Sequence, residues 1–137
     1  MEAAAEANIK VIVLDRPNPI NGIKVEGPIL EMENQSFVGY YPIPIRYGLT
    51  IGELAKMIIG EKWIDKTPDL EVIPLKNWSR SLWFDETNIN WVKPSPNIPN
   101  KETAFAYNGM CLFEGTNISE GRGTNNPFRT IGAPVSY

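Results

Sequence analysis

The stretch LFEGTNISEGRGT (residues 112–124) combines two glutamates, one arginine and three glycines. A stretch of this composition has three interpretations: a loop that binds phosphate, a carboxylate site for sugar chemistry, or a structural turn. A phosphate-binding P-loop needs a lysine and a following helix, whereas this stretch has no lysine and is soon followed by Pro127. Because two acidic side chains also repel a polyanion, phosphate binding is the weakest of the three interpretations.

Glycoside hydrolysis suits the two glutamates, because it needs one carboxyl group to protonate the leaving oxygen and another to act as nucleophile or to activate water. The chain contains no histidine, which excludes Ser-His-Asp and Cys-His catalysis and histidine zinc sites. Acid–base chemistry near neutral pH is therefore left to carboxylates, tyrosine or lysine. A structural glutamate bonded to loop amides has the same sequence pattern, and composition alone favours that structural role.

The composition narrows the class of protein. The chain of 137 residues has the length of one domain, and its net charge of −3 argues against a nucleic-acid partner. No apolar run approaches the ~20 residues that membrane insertion of a helix needs. The single cysteine, Cys111, is interpreted as a small buried hydrophobe rather than a nucleophile. No GxGxxG motif follows the first predicted strand, which disfavours a nucleotide, and we expect neither a cofactor nor a metal ion.

The N-terminal residues predict how Asp15 and Arg16 are positioned. The stretch MEAAAEANIK lacks the features of a signal peptide and is typical of the end of a helix. The apolar run at residues 9–15 is typical of a strand covered on both faces in a parallel sheet. It places Asp15 and Arg16 at the carboxyl end of a strand, where open α/β sheets bind ligands. A turn-forming role for Asp15 is an equal alternative, since DRPNPINGIKVEGP predicts a long loop.

Three further elements are predicted in the middle of the chain. Residues 36–48 are aromatic and β-rich but contain two prolines, which restrict them to an edge or extended segment. Thr50 and Glu53 predict a capping box at the start of a helix with one apolar face. Residues 70–75 (LEVIPL) are a second strand candidate.

The C-terminal third is predicted to continue this alternation of helices and strands. Asn100 caps a short helix through Tyr107, and residues 109–115 (GMCLFEG) are interpreted as a third buried strand that carries Glu114 to its carboxyl end. The order of elements indicates an α/β layered fold. Three tryptophans upstream are interpreted as packing residues, with a wall that contacts carbohydrate as the alternative. They are Trp78, Trp83 and Trp91.

Four segments together resemble one protein family. They are VIVLDRPNPINGIKVEGP, SFVGYYPIPIRYGLTIGELA, WVKPSPNIPNKETAFAYNGMCLFEGTNISEGRGTNNPF and IGAP. Their order and spacing are similar to those of the NamZ-type exo-β-N-acetylmuramidases of glycoside hydrolase family 171, formerly a domain of unknown function. The resemblance covers nearly the whole chain, and the combination of DRPNP, VEGP, PSPN and EGTN-SEGRGT is highly specific.

This resemblance implies a fold and a reaction. Members are similar in having a Rossmann-like domain joined to a smaller C-terminal domain, with the active-site cleft between the two domains. The implied reaction removes terminal N-acetylmuramic acid from the non-reducing ends of peptidoglycan fragments, which are the expected partners. An extracytoplasmic location, periplasmic or secreted, is implied as well. The alternative is a non-catalytic protein that binds wall fragments, or a structural remnant.

The motifs of the family also imply the site residues. In chain order these are Asp15, Arg16 and Asn18 from DRPNP, Glu26 from VEGP, Arg46 from PIR, and Glu114, Asn117, Ser119, Glu120 and Arg122 from the final motif. All except the three glutamates are expected to bind substrate. The glutamates are the candidate catalytic groups.

Specific roles follow as physical hypotheses. Glu114 or Glu120 serves as one catalytic carboxyl group, and Glu26 is its partner or accepts a hydrogen bond from a substrate hydroxyl. Arg46 or Arg122 meets the lactyl carboxylate that distinguishes muramic acid from glucosamine, because arginine binds a carboxylate bidentately. A structural salt bridge to neighbouring acids is an equal alternative for either arginine. Which carboxyl group is the acid stays open.

Two departures from the family affect these expectations. Many relatives have a histidine where this chain has Tyr47, so any role of that histidine is either absent or taken by a phenol. Family members are also much longer, and residues 1–137 are interpreted as a single segment, the C-terminal part of the Rossmann-like domain without its flanking regions. We therefore expect a truncated form, a proteolytic remnant or a split gene product of a larger two-domain protein. Because the missing domains are expected to complete its catalytic site, the fragment alone is expected to be inactive.

Overall fold

The computed structural model describes residues 1–133. Numbered in chain order, the helices and strands are α1 (Glu2–Glu6), β1 (Val11–Leu14), β2 (Glu26–Ile29), β3 (Pro44–Arg46), α2 (Ile51–Gly60), β4 (Leu70–Ile73) and α3 (Lys101–Met110). The chain divides into two compact units, of which the first spans Met1–Trp83 and the second begins at Phe84. Within the described range, every helix is too short or too polar to cross a membrane.

The first unit contains a two-stranded parallel sheet formed by β1 and β4. Val11 pairs with Leu70, and Leu14 pairs with Ile73. Helix α2 lies between these strands in the chain and packs against β1, which is the usual connection between parallel strands. The two predicted strands are therefore confirmed, as is the N-terminal helix that precedes β1, and the fold is a mixed α/β fold with a parallel sheet.

The prediction that β1 is covered on both faces is wrong for the described residues. Val13 is half-buried, whereas Ile12 and Leu14 are 56% and 69% exposed. Successive side chains of a strand point to opposite faces. Helix α2 lies on the face that holds Val72, which is the partner of Val13. The opposite face, with Ile12 and Leu14, is open in residues 1–133.

The start of α2 is capped from within the helix and from the end of β1. The Thr50 hydroxyl accepts a hydrogen bond from the Glu53 amide at 3.2 Å, and the Glu53 carboxylate accepts one from the Thr50 amide at 2.9 Å. The predicted capping box is confirmed. Asp15 accepts hydrogen bonds from the Thr50 hydroxyl and the Gly52 amide, each at 2.8 Å. A carboxylate at a helix N-terminus is stabilising, so this contact ties β1 to α2.

Strands β2 and β3 form a separate antiparallel pair in the first unit, with Glu26 opposite Arg46. The edge segment predicted within residues 36–48 is confirmed by β3. Strand β2 begins within the stretch predicted as a long loop, so that prediction is wrong at its C-terminal end. Gly27 has a φ of +94° and lies at an irregularity in the pairing. A glycine adopts this conformation readily. The Gly-Pro sequence in β2 therefore does not prevent β2 from pairing with β3 over a short length.

Helix α3 begins in the second unit at the predicted residue. The Asn100 side chain accepts a hydrogen bond from the Thr103 amide at 2.9 Å, which satisfies one of the free amides of the first turn. The predicted cap is confirmed. The helix runs to Met110, three residues beyond the predicted end at Tyr107.

The predicted third strand over residues 109–115 is wrong. After α3 the chain tightens into a 3-10 helix, Cys111–Gly115, and Glu114 lies in that turn rather than at the end of a strand. The Met-Cys-Leu-Phe run contains no β-branched residue, so it has no strong preference for a strand. A helix that is already nucleated upstream propagates through such residues at little cost.

Candidate functional site

A cavity of about 360 Å³ lies in the second unit. Its walls come from the PSPN segment, from α3 and from the chain that follows α3. The lining residues are Pro94, Ser95, Asn97, Ile98, Tyr107, Glu114, Arg122 and Phe128. Small-molecule sites typically have volumes of roughly 300–1,000 Å³ and apolar walls with a few polar groups. The cavity fits this description and has room for a small ligand.

Arg122 holds two glutamates at this cavity, and we call the three side chains the Glu114–Arg122–Glu120 cluster. The Nη2 atom of Arg122 lies 2.6 Å from a Glu114 carboxylate oxygen, and its Nε atom lies 2.8 Å from one of Glu120. The Glu120 side chain is 12% exposed, whereas the Glu114 and Arg122 side chains are 36% and 46% exposed. The hydrogen bond to Glu114 is the main cause that raises the pKa of the Arg122 guanidinium. One permanent cation is therefore shared by two carboxylates.

Aromatic rings support this cation. Phe128 is 3% exposed, and the Arg122 guanidinium lies over its ring at 5.5 Å from the centroid. The Tyr107 ring meets the Phe128 ring edge-on at 4.8 Å. Phe128 has a φ of +57°, a strained conformation that bulky residues rarely adopt. Its amide donates a hydrogen bond to the Glu120 carbonyl at 2.7 Å, which helps to hold the strained residue in place.

The loop of residues 119–132 is closed by its own backbone. Ser119 and Gly132 exchange two hydrogen bonds, at 2.7 and 2.9 Å. Gly121 has a φ of +82°, and a Cβ atom there would lie 2.8 Å from the Asn126 carbonyl oxygen. Only glycine fits such a position. The closed loop therefore fixes the backbone of Glu120 and Arg122, two of the three charged residues that it carries.

The other groups at the cavity set its chemistry. Burial, assisted by the nearby charge of Glu114, raises the pKa of the Tyr107 phenol. This phenol therefore stays protonated at neutral pH and can donate a hydrogen bond. Burial also raises the pKa of the Cys111 thiol, which weighs against a nucleophilic thiolate. No three His, Cys, Asp or Glu side chains are grouped to hold a metal ion in residues 1–133.

The first unit holds a second arginine–glutamate pair. The Arg46 side chain is 7% exposed and donates hydrogen bonds to the Glu26 carboxylate and to the Ile20 carbonyl, each at 2.5 Å. Its guanidinium also lies over the Trp83 ring, 5.8 Å from the centroid. Arg46, like Arg122, is thus paired with a neighbouring acid. The expected roles of Glu26 and Arg46 toward a substrate stay predictions.

The residues of the DRPNP motif organise the backbone around them. Asp15 caps α2, as described above. The buried Asn18 side chain donates a hydrogen bond to the Leu49 carbonyl at 3.0 Å and accepts one from the Ile20 amide at 3.1 Å. Arg16 is exposed. These contacts give Asp15 and Asn18 a structural role, and binding of substrate by the three motif residues stays a prediction.

Of the residues that the final motif implies, the structure brings three together. Glu114, Glu120 and Arg122 form the cluster, and Glu114 and Arg122 line the cavity. Asn117 and Ser119 are exposed on the same part of the chain and do not line it. Their expected contact with substrate stays a prediction.

Most residues of the cavity wall have no counterpart among the predicted site residues. Tyr107 and Phe128 were absent from the predicted site, as were Ser95 and Asn97. The PSPN motif was a usable signal for the last two, because it belongs to the segments that resemble the family. No feature of the sequence near Phe128 indicates that it belongs to the cavity wall. Its backbone has a positive φ, which a bulky residue rarely adopts. None of the three tryptophans lines this cavity.

A mixed α/β fold, together with a cavity that combines carboxylates, an arginine and aromatic walls, is typical of proteins that bind a small polar ligand. The family description of the N-terminal region of the exo-β-N-acetylmuramidase NamZ matches residues 1–102. The description of its C-terminal region matches residues 105–136. The chain belongs to the NamZ exo-β-N-acetylmuramidase family.

Individual relatives agree with this assignment. The peptidoglycan β-N-acetylmuramidase NamZ of Bacillus subtilis (strain 168) is 56% identical over 134 residues, which are 98% of this chain and 32% of that protein. Two crystal structures of DUF1343 family proteins from Bacteroides fragilis NCTC 9343 are similar, with TM-scores of 0.89 and 0.86 and identities of 45% and 46%. The similarity covers 96% of this chain and 34% and 36% of those chains. The chain thus spans about a third of the length of these relatives.

Proposed function

We propose that this chain is part of a peptidoglycan-processing exo-β-N-acetylmuramidase and that its cavity in the second unit binds the terminal N-acetylmuramic acid. The reaction is hydrolysis of the glycosidic bond of that sugar on a cell-wall fragment by carboxylate groups. Family membership supports the reaction class. The observation that carries the proposed binding site is the meeting of Glu114, Arg122, Tyr107 and Phe128 around one cavity.

The chemistry of N-acetylmuramic acid matches these groups. Its lactyl carboxylate is suited to the Arg122 guanidinium, which offers several N–H donors to a planar anion. The apolar face of a sugar ring packs on an aromatic ring such as that of Tyr107, which the buried Phe128 ring supports. The Ser95 hydroxyl and the Asn97 amide supply donors and acceptors for sugar hydroxyls and the acetamido group. Each part of the sugar therefore has a suitable partner in the cavity wall.

Glu114 is the proposed catalytic carboxyl group of this part of the chain. It lines the cavity, and its side chain is 36% exposed. Glu120, the other candidate, is 12% exposed and does not belong to the cavity wall. We therefore assign Glu120 the role of anchoring Arg122. The assignment of Glu26 as the second carboxyl group stays a prediction.

The family resemblance also underlies a proposed wider context. Strands β1 and β4 with helix α2 are proposed to belong to a Rossmann-like fold in a larger two-domain protein outside the cytoplasm. The parallel pairing of β1 with β4 supports the fold, and the greater length of the relatives supports the larger protein. The location rests on the resemblance alone.

A second candidate function is binding of wall fragments without turnover. It is favoured by the ion pairs that both glutamates of the cluster make with Arg122, because a paired carboxylate is less available for proton transfer. Release of muramic acid from a chromogenic muramide distinguishes the two functions, with the Bacillus subtilis relative as the positive control. Release by this chain or by the proposed larger protein excludes the second candidate, whereas binding without release by both favours it.

Replacing Arg122 tests the proposed binding site. Arg122→Gln is expected to lower the affinity for N-acetylmuramic acid roughly tenfold to hundredfold, because a hydrogen bond to a charged group contributes about 1.5–3 kcal/mol. The affinity for N-acetylglucosamine, which lacks the lactyl carboxylate, is expected to change little. Titration calorimetry with each sugar measures both effects.

The matched control for this experiment is Arg129→Gln. Arg129 is exposed in the same loop and does not line the cavity, so its loss removes one positive charge without touching the proposed site. The affinity for N-acetylmuramic acid is expected to stay within about twofold of the unmodified chain. If the two variants behave alike, the lactyl carboxylate does not bind at Arg122 and the proposed site is wrong.

A further inference from the structure

The cation proposed to bind the ligand is already occupied in the structure. Within residues 1–133, the Glu114 carboxylate has no hydrogen-bond partner other than Arg122, which it meets at 2.6 Å. Glu120 holds the same guanidinium through its Nε atom at 2.8 Å. A ligand carboxylate that arrives at Arg122 is therefore the third anion at one cation. Like charges at such short distances repel by amounts comparable to the attraction of an ion pair.

The two glutamates are held with different strength. The Glu120 side chain is 12% exposed, and it belongs to the backbone-closed loop. Glu114 is 36% exposed and lies in the 3-10 turn that follows α3. Ion pairs between exposed side chains are weak, because water competes for both partners. Glu114 is therefore the glutamate that leaves Arg122 at the smaller cost, and its departure breaks no backbone hydrogen bond.

We propose that Glu114 is an internal competitor of the ligand, and that a ligand carboxylate exchanges with the Glu114 carboxylate on Arg122. This inference rests on the proposed binding of N-acetylmuramic acid in the cavity. Exchange leaves Arg122 with two carboxylates, one from Glu120 and one from the ligand. The freed Glu114 carboxyl group then faces the cavity that the sugar occupies.

This exchange makes Glu114 a residue that determines specificity as well as a catalytic candidate. A sugar without a carboxylate, such as N-acetylglucosamine, leaves Glu114 on Arg122. An acidic sugar releases Glu114 at the moment when a carboxyl group is needed beside the glycosidic bond. Discrimination then comes from the arrangement of the catalytic group and not only from affinity, which is the principle of induced fit.

The exchange predicts an unusual effect of Glu114→Gln. Removing the competing anion is expected to raise the affinity for N-acetylmuramic acid about two- to fivefold, which corresponds to the strength of an exposed ion pair. The affinity for N-acetylglucosamine is expected not to change. Glu102→Gln, in an exposed position of α3 in the same unit, is the control that removes one negative charge outside the cluster. Titration calorimetry of both sugars with the unmodified chain and both variants gives the four comparisons, and thermal unfolding checks that each variant is folded.

The possible outcomes separate this inference from the proposed function. Tighter binding of N-acetylmuramic acid by Glu114→Gln alone supports the exchange. If the unmodified chain binds this sugar and Glu114→Gln binds it equally or more weakly, Glu114 contacts the ligand without competing, and the exchange is wrong while the proposed site stands. Equal tightening for both sugars, or by both variants, also overturns the exchange. If no protein binds N-acetylmuramic acid, the exchange and the proposed site both fail.

Discussion

Gly52→Ala is expected to lower the free energy of unfolding by about 2–4 kcal/mol, from overpacking and from loss of a helix cap. A Cβ atom at this position would lie 2.6 Å from the Val72 side chain and 2.8 Å from the Asp15 carboxyl carbon. Helix α2 would have to move away from both strands of the parallel sheet. Helix propensity alone favours alanine over glycine by about 1 kcal/mol. The expected change in the free energy of unfolding therefore has the opposite sign to the change that helix propensity predicts. Urea unfolding followed by circular dichroism measures the change.

The same helix supplies the control. Gly60 is the last residue of α2, and a Cβ atom there meets nothing within 4 Å. Gly60→Ala is therefore expected to raise the free energy of unfolding by up to about 1 kcal/mol, as helix propensity alone predicts. Equal stability of the Gly52 and Gly60 variants would mean that α2 does not pack as closely on Asp15 as the structure has it.

Phe128→Ala is the substitution with the largest expected effect on the cavity. Removing a buried Phe side chain costs about 3–5 kcal/mol, and Phe128 is 3% exposed. Its ring supports the Arg122 guanidinium and the Tyr107 ring, so the variant is expected to lose measurable binding of N-acetylmuramic acid as well as stability. Thermal unfolding and titration calorimetry report the two losses.

Leu112→Ala is the matched control for this substitution. Leu112 is 65% exposed in the 3-10 turn next to the cavity, and the loss of an exposed side chain is expected to change stability by no more than about 0.5 kcal/mol. Sugar binding is expected to be unchanged. Retention of full sugar affinity in a folded Phe128→Ala protein would show that the ring does not form part of the binding site.

Much of the first unit could be predicted because its signals are local. The capping box at Thr50 and Glu53 depends on residues three positions apart. The strands at the two ends of the βαβ connection are short apolar runs. The exposure of Ile12 and Leu14 could not be predicted. An apolar run indicates a strand, but it does not indicate whether one face or both faces of that strand are covered by other parts of the protein.

The second unit was harder to predict, for two physical reasons. The Met-Cys-Leu-Phe run suits a helix and a strand alike, and the cap at Asn100, which decides between them, lies ten residues before it. The residues of the cluster were available from the final motif, but their mutual pairing depends on closure of the loop at residues 119–132. The strained backbone of Phe128 is a product of that closure and has no signature in the residue type.

The Glu114–Arg122–Glu120 cluster also has a kinetic consequence. It carries one negative charge in excess, in a chain whose net charge is −3. An anionic sugar that binds as proposed is therefore repelled while it diffuses toward the cavity and is attracted only once it reaches the guanidinium. Salt shortens the range of such repulsion, from about 30 Å at 0.01 M to about 8 Å at 0.15 M ionic strength. Encounter with an acidic ligand is thus faster in a salty medium than in a dilute one, the reverse of electrostatic steering.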